Sequence, residues 1–132
     1  MVKMHRDIRT VAEMVETFVV SVLKYSEFIL GDSRIANRHY DDFVEALKRI
    51  AAHGEEGLTA LACLLDDERI VVRVTAACYL VHFRTTRAMS VLQEASKLEN
   101  RAIAMLAFAT MKRWEKGIYL DPATGKESKL PA

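Results

Sequence analysis

Residues 58–83, LTALACLLDDERIVVRVTAACYLVHF, contain two apolar segments separated by an acidic turn at 66–68. In both segments the apolar residues recur at intervals of three and four, which is the period of one face of an α-helix. These residues are Leu58, Leu61, Leu64 and Leu65 in the first segment and Ile70, Val74, Ala77 and Val81 in the second. The piece RIVVRV could form a strand by itself, but the helical spacing continues on both sides of it. The stretch therefore predicts a helical hairpin.

The same spacing continues outward from this hairpin and predicts six helices in all. Two long helices come first, one over about residues 7–30 and one that follows Ser33 and ends in the HGEEG segment at 53–57. Four shorter helices follow, at about 57–65, 69–83, 87–98 and 101–115. Asn100 is placed to cap the last helix and Gly117 to end it, since these residue types favour those positions.

A weak internal repeat relates the second half of the chain to the hairpin at 58–83. A shift of 28 residues places Leu64 on Leu92, Arg73 on Arg101 and Leu80 on Phe108. Two similar hairpins therefore follow one another, and the two long helices form a third, atypical hairpin. Stacked hairpins bury a continuous core that one hairpin alone cannot form. The predicted fold class is an all-α superhelix of about three stacked helical hairpins.

The predicted domain is a single helical unit over residues 1–117, followed by a C-terminal extension at 118–132. The extension begins with the apolar residues Ile118, Tyr119 and Leu120, which we expect to fold back onto the last helix. Its DPATG segment is a turn signal because proline, aspartate and glycine favour turn positions. Beyond Gly125 the residues are mostly polar, and we expect disorder there.

Composition excludes several classes of protein. No segment approaches the roughly 20 apolar residues that span a bilayer, and MVKMHRDIRT lacks the apolar run of a secretory signal. Cys63 and Cys78 both lie in apolar helical patterns, where a thiol usually fills space in the core. We therefore expect a protein of the reducing cytoplasm.

The net charge of +1 conceals an asymmetry between the two halves of the chain. Residues 1–68 hold eight lysines and arginines against thirteen acidic residues, and residues 69–132 hold eleven against five. The halves thus carry −5 and +6, and such a molecule is expected to steer complementary partners. The basic residues of the second half are spread over several helix faces, which disfavours nucleic acid as the partner. They are Arg69, Arg73, Arg84, Arg87, Arg101, Lys112, Arg113 and Lys116.

The sequence holds no motif that indicates catalysis or a bound cofactor. The adjacent carboxylates Asp41 and Asp42 point to different sides of a helix, so they cannot share one catalytic site. His39 with Asp42 has helical spacing for metal ligation, but a solvated acidic face explains the pair better. There is no CxxC, HExxH or glycine-rich phosphate loop. We expect a protein that is not an enzyme and needs no cofactor or metal.

The hairpin at 58–83 resembles a HEAT-type repeat, with an apolar first helix, an Asp-rich turn and a second helix entered through VVRVTAACYL. Together with VETFVVSVLKYSEFILGD, RIANRHYDDFVEALKRI and MKRWEKGIYLDP, it makes the chain similar over residues 10–122 to a bacterial family of small HEAT-like proteins of unassigned role. Proteins similar to these have been proposed as immunity proteins encoded beside secreted toxins. The resemblance implies an inhibitor that neutralises a toxin by tight binding inside the producing cell.

A second stripe of residues on the fourth helix is the best candidate for a binding surface. Val72, Thr75, Tyr79 and His82 lie at helical spacing opposite the predicted core face. The 28-residue shift extends the stripe to the sixth helix, with Trp114 next in line. Second helices line the concave surface of a HEAT-like stack, so we expect the partner there. The predicted binding residues are Asp42 and Glu45 at the acidic end and Thr75, Tyr79, His82 and Trp114 centrally.

The sixth helix, RAIAMLAFATMKRW, leaves a second function open. It is apolar almost all round as far as Lys112, so it is either enclosed on two sides or partly exposed for a partner. In the second case the protein is an adaptor or self-associating scaffold in which this helix forms a homodimer interface.

Overall fold

The structure, a computed structural model, describes residues 9–28 and 31–131. Six α-helices and one two-stranded sheet are present in these residues. The helices are α1 (Val11–Phe28), α2 (Ser33–Ala51), α3 (Glu55–Ala62), α4 (Ile70–Leu80), α5 (Thr85–Ala95) and α6 (Arg101–Glu115), and the strands are β1 (Ile118–Asp121) and β2 (Lys126–Lys129). A 3-10 turn, Cys63–Asp66, extends α3. The predicted all-α fold of stacked helical hairpins is confirmed, while the predicted ends of the first helix, at 7–8 and 29–30, lie outside the described residues.

Side chains and glycines at the helix ends explain where the helices begin and stop. Asp32 Oδ1 accepts hydrogen bonds from the backbone N–H groups of Arg34 and Ile35, which α2 cannot satisfy internally. Asn100 Oδ1 accepts from the Ile103 N–H at 3.1 Å, as predicted for the start of α6. Gly117 follows α6 with a φ of 77°, a conformation that glycine adopts without steric cost.

Three hairpins stack in chain order, and α4 lies at the centre of the stack. It packs against α1, α3, α5, α6 and β1. One glycine fixes the spacing of the first two hairpins: a Cβ at Gly57 would lie 1.8 Å from the Ile50 carbonyl oxygen. The helices α2 and α3 can approach this closely only because residue 57 has no side chain.

A single apolar core runs through all three hairpins. Phe18 on α1 and Phe43 on α2 meet edge to face, with ring centroids 5.9 Å apart. The core continues through Leu61 and Leu80 to Leu92 on α5, all of which are fully buried. Burial of this apolar surface is the main source of stability in such a domain. Of the helices in the described ranges, none combines the length and apolar character needed to cross a membrane.

The C-terminal extension is an ordered β-hairpin, which differs from the predicted disorder beyond Gly125. Strands β1 and β2 pair antiparallel, and the Leu130 N–H donates to the Gly117 carbonyl at 2.8 Å. The turn between the strands closes through a 2.7 Å bond from the Gly125 N–H to the Asp121 carbonyl, and Pro122 is fully buried. The polar residues of β2 are ordered because they pair with an apolar strand that packs on α4 and α6. The hairpin is therefore part of the same packed unit.

Ion pairs between hairpins join acidic residues of the first half of the chain to basic residues of the second half. Arg84 pairs with Glu55, and Arg87 pairs with Asp66 at 2.8 Å. Arg73 donates to the Asp67 carbonyl at 2.7 Å and lies 3.7 Å from Glu94. The acidic residues before α4 are thus neighbours of basic residues after it, and the opposite charges of the two halves offset each other locally where these hairpins meet.

Candidate binding groove

A groove of about 860 Å³ lies near the predicted surface, between the second helices and the C-terminal hairpin. Its volume lies within the range of sites that hold ligands or peptide side chains. The lining is mainly apolar and aromatic, with a few polar groups at the edges. The lining residues are Tyr25, Ser26, Tyr40, Phe43, Val71, Thr75, Cys78, Tyr79, Asn100, Ala102, Ile103, Leu106, Arg113, Leu120, Gly125, Lys126 and Glu127.

One wall of the groove is a cluster of three aromatic rings from α1 and α2. The ring of Tyr40 lies 4.9 Å from that of Phe43 and 5.9 Å from that of Tyr25, measured between centroids. Tyr25 and Phe43 meet edge to face at 5.6 Å. These geometries are favourable for aromatic pairs, so the wall is held in place before any ligand binds. Tyr40 remains 38% exposed and faces the opening.

Residues of α4 form the floor of the groove. Thr75 is 8% exposed and Tyr79 is 4% exposed, so each contributes only a small surface. The Thr75 hydroxyl is already used, because it donates to the Val71 carbonyl at 2.7 Å. Burial raises the pKa of Tyr79 above its usual value, and the neighbouring Tyr40 raises this pKa further. The floor is therefore neutral at every physiological pH.

Cys78 also belongs to the floor but is almost completely shielded from solvent. Its Sγ lies 3.2 Å from the Thr110 hydroxyl of α6, in a contact that joins the two helices. Burial raises the pKa of the Cys78 thiol to about 11. A thiol with so high a pKa is a poor nucleophile. The groove accordingly offers a surface for binding and no activated nucleophile at this position.

The rim of the groove carries its charged groups. Arg113 of α6 lies beside Glu127 of β2, with 3.9 Å between Nε and Oε2, and Lys126 is adjacent. Leu106, two turns earlier on α6, is 39% exposed at the edge. A partner that enters the groove would meet apolar rings inside and charged groups at the border.

The structure separates the predicted binding residues into three places. Thr75 and Tyr79 were expected to contact the partner directly. They line the groove, but both side chains are largely buried. His82 and Trp114 lie outside the groove under the C-terminal hairpin: the His82 ring stacks on Tyr119 of β1 at 4.1 Å and lies 5.9 Å from Trp114. The chain's own hairpin thus covers this part of the stripe: the sequence predicted that Tyr119 folds back onto the last helix, but not that it stacks on His82.

The two predicted acidic residues lie on the solvent side of α2 and do not line the groove. Asp42 lies 3.9 Å from His39, and Glu45 pairs with Lys48 at 3.3 Å. The ring of His39 also stacks on Phe28, at 5.8 Å. The described residues contain no group of three or more His, Cys, Asp or Glu side chains that could hold a metal ion.

The sequence reasoning missed four lining residues that give the groove its character. Tyr25 and Tyr40 carry the aromatic wall, although their helical spacing had placed them among core residues. Leu106 and Arg113 form the opposite edge. A usable signal was present for Tyr40. It lies on α2, the second helix of its hairpin, and one face of α2 should continue the stripe of residues on α4 and α6.

Most of the basic residues considered for nucleic acid are engaged within the protein. Besides the pairs made by Arg73, Arg84 and Arg87, Arg69 forms a two-bond contact with Asp67 that holds the pKa of that carboxyl below its usual value. In the predicted basic cluster on α6, Lys112 lies 3.5 Å from Glu115. That nucleic acid is disfavoured as the partner stays a prediction from the scattered sequence positions.

Comparison with known proteins supports the fold. No protein-family model matches the chain, and no curated protein sequence matches it. The crystal structure of the protein RPA1889 from Rhodopseudomonas palustris CGA009 is similar, with a TM-score of 0.77 and 20% sequence identity. The similarity covers 87% of this chain and 96% of that one. At this identity the likeness establishes the shared all-helical architecture and nothing about activity.

Proposed function

We propose that this protein is a non-catalytic binding protein that holds a segment of a partner protein in the groove between α2, α4, α6 and the C-terminal hairpin. The observation that carries the proposal is the open groove of about 860 Å³ with a preformed aromatic wall. The resemblance of the chain to HEAT-like immunity proteins suggests a more specific role. In this role the partner is a bacterial toxin, and binding neutralises it in the cytoplasm.

The composition of the groove suits a protein ligand. Tyrosines supply large, rigid contact surfaces with a hydrogen-bonding hydroxyl, and such residues often dominate the energy of protein interfaces. Tyr40 and Leu106 stand on opposite sides and each leaves more than a third of its surface exposed. A partner's apolar side chain inserted between them would remove both from water, while Arg113, Lys126 and Glu127 could fix its orientation by polar contacts at the rim.

A matched pair of leucine variants tests this proposal. Leu106 and Leu98 are both 39% exposed, but only Leu106 lines the groove. Aspartate at position 106 would place a charge where a partner's apolar group should bind, so we expect Leu106→Asp to weaken binding of a purified partner at least about 100-fold, as for a central interface residue. Leu98→Asp should retain it.

The partner is first recovered from lysate of the native host on immobilised wild-type protein and then titrated as a purified protein by calorimetry. Equal affinity for wild type and Leu106→Asp would place the binding surface elsewhere and overturn the groove assignment. Growth of cells that express the recovered partner tests the immunity role: co-expressed wild type should restore growth and Leu106→Asp should not. A partner that is harmless to cells would leave groove binding intact and overturn the toxin assignment.

A further inference from the structure

The side of α6 that faces away from the stack is an unusually exposed apolar surface. Of the described large apolar side chains, Met105 and Phe108 are the most exposed, at 65% and 55%. Together with Arg101, Lys112 and Glu115 they lie at intervals of four, three, four and three residues, and they form what we call the outer face of α6. This face is distinct from the groove edge, which Leu106 and Arg113 form on another side of the helix.

The position of α6 at the end of the stack makes this exposure informative. In stacked repeats each helix is covered by the next hairpin, and terminal repeats usually carry a polar outer surface that keeps the molecule soluble. The outer face of α6 instead has two exposed apolar side chains, Met105 and Phe108, at its centre, with charged residues towards both ends. Lys112 covers Phe108 only in part, with its Nζ 5.4 Å from the ring centroid.

The opposite charges at the two ends of the outer face favour a second copy of α6 as the group that covers it. Arg101 and Glu115 lie seven residues on either side of Phe108, which is two helical turns or about 10 Å along the axis. A second copy of α6 that runs antiparallel, with its Phe108 at the same level, would therefore bring Arg101 of each copy opposite the partner's Glu115. A parallel arrangement would instead oppose the two arginines, and like charges in contact are unfavourable.

We propose that a second copy of this chain covers the outer face of α6, in a homodimer whose twofold axis passes near Phe108. The two copies of Met105 and Phe108 form its apolar centre, and two Arg101–Glu115 pairs across the interface fix the antiparallel register. A twofold interface is self-complementary in this way, since each copy contributes the same surface. The dimer leaves the groove open, because Tyr40, Leu106 and Arg113 are not part of the outer face.

Sedimentation over a wide concentration range tests the dimer. Phe108→Asp should raise the dimer dissociation constant at least about tenfold, as expected for a central apolar residue of an interface. Leu106→Asp, on the same helix but at the groove edge, should leave it unchanged. Circular dichroism confirms that each variant is folded, and Phe108→Ala serves as the milder substitution. A monomer at all concentrations, or a dimer indifferent to Phe108→Asp, would overturn the proposal.

Charge reversal tests the register independently of the apolar contact. Arg101→Glu alone should weaken the dimer, because it opposes two carboxylates across the interface, and Glu115→Arg alone should weaken it by opposing two cations. The double variant Arg101→Glu/Glu115→Arg should restore the dissociation constant to within about threefold of wild type. If the double variant is as weak as the singles, the antiparallel register is wrong. Because groove variants are measured in the same series, a failed dimer leaves the proposed function intact.

Discussion

The helices α4 and α6 are equivalent second helices of neighbouring hairpins, and both are apolar almost all round, yet their surroundings are opposite. Eight of the eleven residues of α4 are buried, whereas only Ala107 and Thr110 of the fifteen in α6 are buried. The difference comes from position: α4 has a hairpin on each side and the C-terminal hairpin above it, and α6 ends the stack. An apolar sequence pattern therefore shows which residues can be buried, and the place in the stack decides which are.

The sharpest test of this comparison uses one residue pair related by the internal repeat. Leu80→Ala removes a fully buried side chain from α4 and should lower the free energy of unfolding by about 2–5 kcal/mol, because it leaves a cavity. Phe108→Ala at the equivalent position of α6 should change it by no more than about 0.5 kcal/mol, when measured by urea denaturation at concentrations that keep the protein monomeric. Comparable losses for both variants would contradict the different burial of the two helices.

The burial of titratable side chains on and around α4 should make the protein less stable at alkaline pH. Burial in the folded protein raises the pKa of the Cys78 thiol from an ordinary 9.0 to about 11, and it raises the pKa values of Tyr79 and Tyr25 as well. Above pH 9 the unfolded chain therefore loses these protons first, and the free energy of unfolding should fall as pH rises from 9 to 11. The Cys78 part amounts to at most about 1.4 kcal/mol per pH unit.

The matched control for the pH dependence is Cys78→Ala, which removes the thiol and keeps the tyrosines. Its stability should decline less steeply between pH 9 and 11 than that of wild type in urea denaturation series. Parallel curves for the two proteins would mean that the Cys78 thiol is open to solvent.

Glycine substitutions in the C-terminal hairpin test whether it helps to cover the stack. Gly125 and Gly117 both have positive φ, so alanine at either should cost about 1–2 kcal/mol in backbone strain. Gly125→Ala should cost about 1 kcal/mol more, because its Cβ would lie 2.5 Å from a methyl group of Val44 on α2, whereas a Cβ at Gly117 makes an ordinary contact. Thermal unfolding of both variants measures the difference, and equal losses would show that the turn does not press on α2.

The smallest expected effect concerns the contact that joins α4 to α6. Thr110→Val keeps the shape of the side chain but removes the hydroxyl that meets the Cys78 Sγ, at a cost of about 1 kcal/mol. Thr17→Val is the control, because the Thr17 hydroxyl also donates to a carbonyl four residues earlier, that of Glu13, but on an exposed side of its helix. A larger loss in Thr17→Val, by urea denaturation, would mean that the Cys78 contact does not stabilise the joint.

The helices and their order could be predicted from the sequence because both are encoded locally. Apolar spacing reports a helix face directly, and residues such as Asn100 and Gly117 act within one turn of their own position. The single Asp-rich turn and the weak 28-residue repeat were sufficient to predict stacked hairpins. Nothing beyond short-range physical chemistry was needed for this part of the fold.

The groove could not be predicted in the same way because it depends on contacts between distant parts of the chain. Thr75, Tyr79, His82 and Trp114 do form a stripe, but whether a stripe is open depends on what lies above it. Tyr119 comes from the C-terminal hairpin, whose order arises from packing on α4 and α6 and not from any strong local signal in residues 126–129. Asp42 and Glu45 remain outside the groove because α2 turns that side to solvent.

Gly57 offers a way to adjust the groove without altering any residue that lines it. Its missing side chain sets how near the first hairpin comes to the second, and the aromatic wall belongs to the first hairpin while the floor belongs to the second. A small side chain at position 57 would act as a spacer, moving the wall relative to the floor. Selectivity for partners of different size could thus be tuned from a position outside the groove lining, by a single atom placed between two helices.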